Sequence, residues 1–100
     1  MNPGKDILLL AILDRNGRAH HVLPLSRDWR SAIRCLIADE SSAIALIQRR
    51  PPAASPEPRT TDIALTRMVH RRLRPLGIRL ADHLIFSADA RFSFREAGLL

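Results

Sequence analysis

The stretch from Gln48 to Asp62 limits the fold of this chain more than any other: Gln48-Arg49-Arg50-Pro51-Pro52-Ala53-Ala54-Ser55-Pro56-Glu57-Pro58-Arg59-Thr60-Thr61-Asp62. Four of the seven prolines lie between 51 and 58. Each proline fixes φ and removes a backbone donor, so the stretch is a stiff connection with little regular hydrogen bonding. An apolar run, Ala43-Ile44-Ala45-Leu46-Ile47, enters it, and a helical pattern from Ile63 to Leu76 leaves it. Strand, rigid loop and helix N-terminus in that order suit a metal or anion site.

Upstream, Asp6 to Asp14 reads as a central strand covered on both faces, because Ile7 to Leu13 is continuously apolar rather than alternating. Asn16-Gly17 is a strong hairpin signal, so Ala19 to Leu23 should return antiparallel, with Pro24 ending it. Ser26 is a good N-cap for a helix, with Asp28 in its first turn. Trp29, Ala32, Ile33, Leu36 and Ile37 recur on one face of that helix, and Asp39-Glu40-Ser41 closes it. Ser42 to Gln48 is the next buried strand, so strand, helix and strand form a crossover unit.

Beyond the proline stretch, Thr60 or Thr61 caps a second helix with Asp62 in its first turn. Leu65, Met68, Val69, Leu73 and Leu76 form its buried stripe, and His70, Arg71, Arg72 and Arg74 gather where the helix dipole favours cations. Pro75 and Gly77 end it. Ile78 to Ser87 is a strand, Ala88-Asp89-Ala90 a turn and Arg91 to Phe94 a short strand, with a final turn from Arg95 to Leu100.

One hundred residues with 46% apolar and 26% charged composition make a single globular domain, 1–100. The lone cysteine, Cys35, excludes an internal disulfide framework and a cysteine zinc cluster, and fits a cytoplasmic setting. No run approaches the ~18 apolar residues of a membrane span. Fifteen of the sixteen lysine and arginine residues are arginine, and net charge is +6. That balance admits a nucleic-acid partner. The arginines are scattered, however, and only four aromatics are available for stacking on bases.

Three stretches carry a resemblance: Asp62-Ile63-Ala64-Leu65-Thr66-Arg67, Leu76-Gly77-Ile78-Arg79-Leu80-Ala81-Asp82-His83-Leu84-Ile85, and Phe92-Ser93-Phe94-Arg95-Glu96-Ala97-Gly98-Leu99-Leu100. Together they resemble the end of RadC-type proteins, which carry a JAB/MPN-like (JAMM) metalloprotease domain. Leu13-Asp14-Arg15-Asn16-Gly17-Arg18 is similar to that family's first hairpin. The resemblance implies a zinc site of the form His-x-His-Pro-Ser-Gly, a Pro-rich stretch, then Ser-x-x-Asp, with a glutamate as proton acceptor. Three ligands and one water make such a site catalytic, because zinc lowers the water's pKa towards 7.

Here Arg49 and Pro51 stand in place of the two histidines, and Arg59 in place of the serine. Asp62 is kept, with Pro52, Pro56 and Pro58. The glutamate has no counterpart, since no acidic residue lies between Asp14 and Asp28. Arginine cannot give up its proton to bind a metal, and proline has no side-chain donor. The remaining histidines offer no substitute. His20 and His21 are adjacent in a strand and face opposite ways, His70 lies on a charged side, and His83 reads as a hydrogen-bonded strand histidine.

The expected fold is α/β, one three-layer domain whose mixed sheet is flanked by two main helices. The expected function is a catalytically inactive RadC-like JAB domain that binds or scaffolds, with no cofactor and no metal. Any remnant site would be the surface of Arg49, Arg50, Pro51, Arg59 and Asp62, where Asp62 caps its helix and pairs with Arg49 or Arg59. A protein is the expected partner, an anionic ligand or nucleic acid the alternative, and a homo-oligomer is compatible. Competing readings are a zinc hydrolase with non-standard ligands and a basic DNA-associated module.

Overall fold

The computed structural model describes residues 6–25, 29–38 and 42–100. The cap at Ser26 and Asp28 and the helix end at 39–41 lie outside these residues, as does the side chain of Trp29. Five strands and two helices follow in order: β1 (Ile7–Leu13), β2 (Ala19–Pro24), α1 (Trp29–Ala38), β3 (Ala43–Arg49), α2 (Thr60–Leu73), β4 (Arg79–Ser87) and β5 (Ala90–Ser93). A 3₁₀ turn, Arg74–Leu76, follows α2 and ends on Gly77 in the left-handed region. No helix of the described residues is long and apolar enough to cross a membrane.

The strands make one mixed sheet in the order β2-β1-β3-β4-β5. The Asn16-Gly17 hairpin forms as expected and pairs β1 with β2 antiparallel. β1 also runs antiparallel to β3, and β3 runs parallel to β4. β2 and β3 are therefore parallel to each other with β1 between them, so β2-α1-β3 and β3-α2-β4 are both crossover connections.

Both crossovers step across the sheet in the same direction. Right-handed connections that step the same way put their helices on the same face. The core shows this directly: Ala32 and Leu36 of α1 and Val69 and Leu73 of α2 share one buried cluster with Leu10, Ile12, Ile44, Leu46 and Leu80. The mixed sheet and the two helices are as expected, and among the described residues both helices pack into one buried cluster on the same face of the sheet. β1 is covered by helices on one face only. Its unbroken apolar run gives an inner row, Leu10 and Ile12, and an outer row, Leu9, Ala11 and Leu13.

Two expectations are corrected. Ile37 is 63% exposed and Leu76 is 45% exposed, so neither belongs to the core. Ile37 lies at the end of the α1 stripe, past the turn that meets the sheet, and Leu76 falls in the 3₁₀ turn, where the α-helical spacing no longer holds. Cys35 is half-buried against the cluster.

Candidate functional site

Alternation along β3 builds the site. Leu46 faces the helices, so Gln48 does too, and Arg50 continues the same row just past the strand end. Both are buried, at 3% and 2% exposure, whereas Arg49 points the other way and is exposed. The backbone N–H of Arg50 bonds to the Phe86 carbonyl at 2.8 Å, which ties the loop entrance to β4. The proline loop then folds over the Arg50 side chain. Its guanidinium donates to the carbonyls of Ser55 at 3.1 Å and Glu57 at 2.6 Å. The loop is anchored from the other side by the Ser87 hydroxyl, which lies against the carbonyls of Pro51 and Ala54.

The loop delivers the chain to the N-terminus of α2. The N-cap is Arg59 rather than either threonine. Arginine has no acceptor with which to cap, so Asp62, three residues on, reaches back to the Arg59 N–H at 2.7 Å. The same carboxylate receives Gln48 Nε2 at 3.0 Å and the Arg50 guanidinium. Asp62 therefore caps its helix as expected. Its ion-pair partner is Arg50, not Arg49 or Arg59, because Arg50 occupies the inward row.

Asp6 completes the charge set from the start of β1. It accepts Gln48 Nε2 at 2.6 Å and Arg50 Nε at 3.3 Å, and it keeps some contact with solvent. Two carboxylates thus share one buried guanidinium. Burial alone would raise the pKa of Asp62. The Arg59 N–H, the Gln48 amide and the Arg50 charge outweigh that and hold it below the ordinary carboxylate value.

Gln48 also links this charge set to His83. With its amide nitrogen given to two carboxylates, its Oε1 faces His83 Nε2 at 2.8 Å. An acceptor there requires His83 to carry its proton on Nε2, which leaves Nδ1 as an acceptor. The Thr66 hydroxyl lies 2.6 Å from Nδ1 and 3.0 Å from the Asp62 carbonyl, and with Nδ1 an acceptor its single proton goes to the ring. The ring is fully buried and stacks on Phe94, with centroids 4.4 Å apart and planes 8° from parallel. Burial is the main cause of a pKa lowered to about 4, against the opposing pull of Asp62 and Asp82. His83 is the hydrogen-bonded strand histidine that the sequence suggested.

The structure brings Arg50 and Asp62 together and leaves Arg49 and Arg59 at the exposed margins, with Pro51 half-buried between them. Sequence reasoning missed Asp6, Gln48 and Thr66 as partners, and placed Arg50 on an exposed rim. The signal for Gln48 and Arg50 was present in the period-two row 44, 46, 48, 50.

These residues do not fit a catalytic zinc ion. Arg49 faces away from Asp62, and Pro51 has no donor. Both Asp62 oxygens are engaged by N–H donors. Among the described residues no group of three His, Cys, Asp or Glu side chains converges. What the arrangement can do chemically is hold a buried cation permanently at the helix N-terminus.

Comparison with known proteins agrees with this geometry in its family and is silent on its chemistry. The sequence profile of the RadC-like JAB domain matches residues 15–99. A UPF0758 protein of Porphyromonas gingivalis is 36% identical over 101 residues, covering 100% of this chain and 42% of that protein. One from Pelobacter propionicus is 35% identical over 66 residues, which is 66% of this chain and 29% of its own length. One from Methanospirillum hungatei is 39% identical over 64 residues, 64% of this chain and 28% of its own length. The chain spans less than half the length of these curated relatives.

Proposed function

Since the chain belongs to the RadC-like JAB domain family, we propose that it is a member without hydrolase activity that acts by binding. The observation that supports this reading is the Arg50 side chain. Its guanidinium takes the carboxylate that the family pattern assigns to the metal, and does so at 2% exposure while also held by Asp6 and by the carbonyls of Ser55 and Glu57. A zinc ion at Asp62 would have to displace a buried ion pair, a disruption worth about 3–5 kcal/mol when one partner is removed. It would gain few ligands in return, because positions 49 and 51 supply none.

The test is metal content and metal response. The purified chain should hold well under one zinc per molecule by elemental analysis, and added zinc should leave its unfolding midpoint unchanged. The double variant Gln48→His/Arg50→His puts two imidazoles on the row that reaches Asp62 and should gain zinc affinity if it folds. Stoichiometric zinc in the unaltered chain, lost on Asp62→Asn, would overturn the reading.

A further inference from the structure

The outer face of the sheet is as apolar as the inner one. Along it run Leu9 and Leu13 of β1, Ile47 of β3, and Leu84 and Phe86 of β4, all half-buried, with Ile7 55% exposed at one end. An antiparallel sheet with a solvated face places polar side chains there. These strands do the opposite. Two open grooves, of about 570 and 310 Å³, cross this face and meet at Ile47. Leu9, Phe86 and Pro52 line the first, while Leu13, Leu84 and four alanines line the second. No helix or strand among the described residues covers them. A continuous apolar surface of this kind marks an interaction site.

We propose that this face is a docking groove for an amphipathic helix of another protein, with acidic residues flanking the helix's apolar stripe. The inference gives the binding reading a surface and a partner class, and it does not depend on whether the chain holds a metal.

The shape selects a helix. A strand adds to a sheet at its edge, whereas here the apolar surface is the broad face, which helices cover. Ala11 and Ala45 face one another across β1 and β3, and Ala81 lies at the irregularity between β3 and β4, so the floor of the groove is made of small residues. Larger side chains form its walls. A small-residue floor lets a helix backbone come close while the walls grip its side chains. The seven residues of β1 span about 23 Å, the length of a helix of about 15 residues.

Charge selects the flanks. Arg49 lines one groove and Arg95 the other, both are exposed, and neither has a carboxylate partner among the described residues. Asp82 lines the same groove as Arg95, and its carboxylate is turned to Ser93 Oγ at 2.7 Å and to the N–H groups of His83 at 2.7 Å and Arg95 at 3.1 Å. A second copy of the chain, at net charge +6, would bring arginine to arginine. Acidic flanks turn the same two residues into attractive contacts, and cross-interface complementarity of this kind sets partner choice.

The experiment uses two labelled synthetic peptides of about 15 residues. Both are stapled as helices, with leucine at the i, i+3, i+4 and i+7 positions; one has glutamate flanks and the other lysine flanks. By fluorescence anisotropy the glutamate peptide should bind with micromolar affinity, and the lysine peptide about ten-fold more weakly or worse. Ala45→Phe fills the groove and should abolish binding while circular dichroism and the unfolding midpoint are retained. If that variant fails to fold, Arg49→Glu/Arg95→Glu should reverse the peptide preference. Three results would overturn the proposal: no binding of the glutamate peptide at about 100 μM, equal binding of both peptides, or a homodimer by ultracentrifugation that Ile47→Glu dissociates.

Discussion

Gln48 Oε1 accepts from His83 Nε2 at 2.8 Å, and this one contact joins the charged cluster at the start of α2 to the buried histidine of β4. Gln48 cannot turn over, because its amide nitrogen is held by two carboxylates. The orientation of one amide therefore sets the tautomer of a ring whose partner lies 35 residues away in sequence.

Gln48→Leu keeps much of the volume and removes both functions. Asp62 Oδ1 and the His83 Nε2–H then lose partners in a buried setting, at about 1–3 kcal/mol for each unsatisfied group. We expect a loss of about 2–4 kcal/mol by denaturant unfolding. Thr66→Val removes one donor and should cost about half as much. A Gln48→Leu variant as stable as the parent would mean that the amide is not a structural link.

Arg50→Met leaves Asp62 buried without its cation and should destabilise by about 3–5 kcal/mol. Lysine should not rescue it, because a single ammonium cannot reach Asp6, Asp62 and two loop carbonyls at once. Adding Asp62→Asn to Arg50→Met should recover part of the loss, since the uncompensated charge is gone. A double-mutant cycle measures this coupling, and strictly additive losses would contradict a shared ion pair.

His83 makes stability depend on pH. Its folded pKa of about 4 lies below the ordinary imidazole value of 6.5, so the unfolded chain binds the proton more readily. The stabilising contribution is complete above about pH 6.5 and is lost as pH falls towards about 4, by on the order of 3 kcal/mol. Asp62, whose pKa is lowered, adds a second loss when pH falls below the ordinary carboxylate range. Urea unfolding from pH 7.5 to 4.5 checks the first arm. An NMR titration of the His83 ring with a midpoint near 6.5 would refute it.

Ala88 sits at φ +50 in the turn between β4 and β5. An L-residue there costs about 1–2 kcal/mol relative to glycine, partly offset by the extra freedom glycine has when unfolded. Ala88→Gly should therefore raise stability by roughly 0.5–1 kcal/mol. A fall in the unfolding midpoint would show that the turn tolerates alanine without strain.

Much of the fold was legible from local chemistry. Asn16-Gly17 gave the hairpin, the prolines gave the loop, and apolar spacing gave both helices. Which face each helix covers was not legible in that way. The continuous run Ile7 to Leu13 states that both faces of β1 are apolar, but not what covers them; that follows from the direction in which successive crossovers step. The site was half legible. Asp62 was recognised through the family pattern, which set Arg49 and Pro51 at the histidine positions, whereas the side chains that reach Asp62 are those of Gln48 and Arg50. Arg50 was misplaced because a charged side chain beside prolines reads as exposed, although strand alternation carries it inward. Asp6, far away in sequence, gave no local sign at all.

The tie among Asp6, Gln48, Asp62 and His83 also bears on kinetics. Its members come from the residue before β1 and from β3, α2 and β4, so no two of these elements hold the whole set. Hydrogen bonds of this kind demand placement to within a few tenths of an ångström, which only a fully docked sheet and helix provide. Contacts this demanding are expected to form late, after the rate-limiting step of folding. Interactions absent from the transition state slow unfolding and leave the folding rate almost unchanged. The buried polar tie thus acts as a latch on an assembled domain: it governs how long the fold lasts once made, not how fast it is reached.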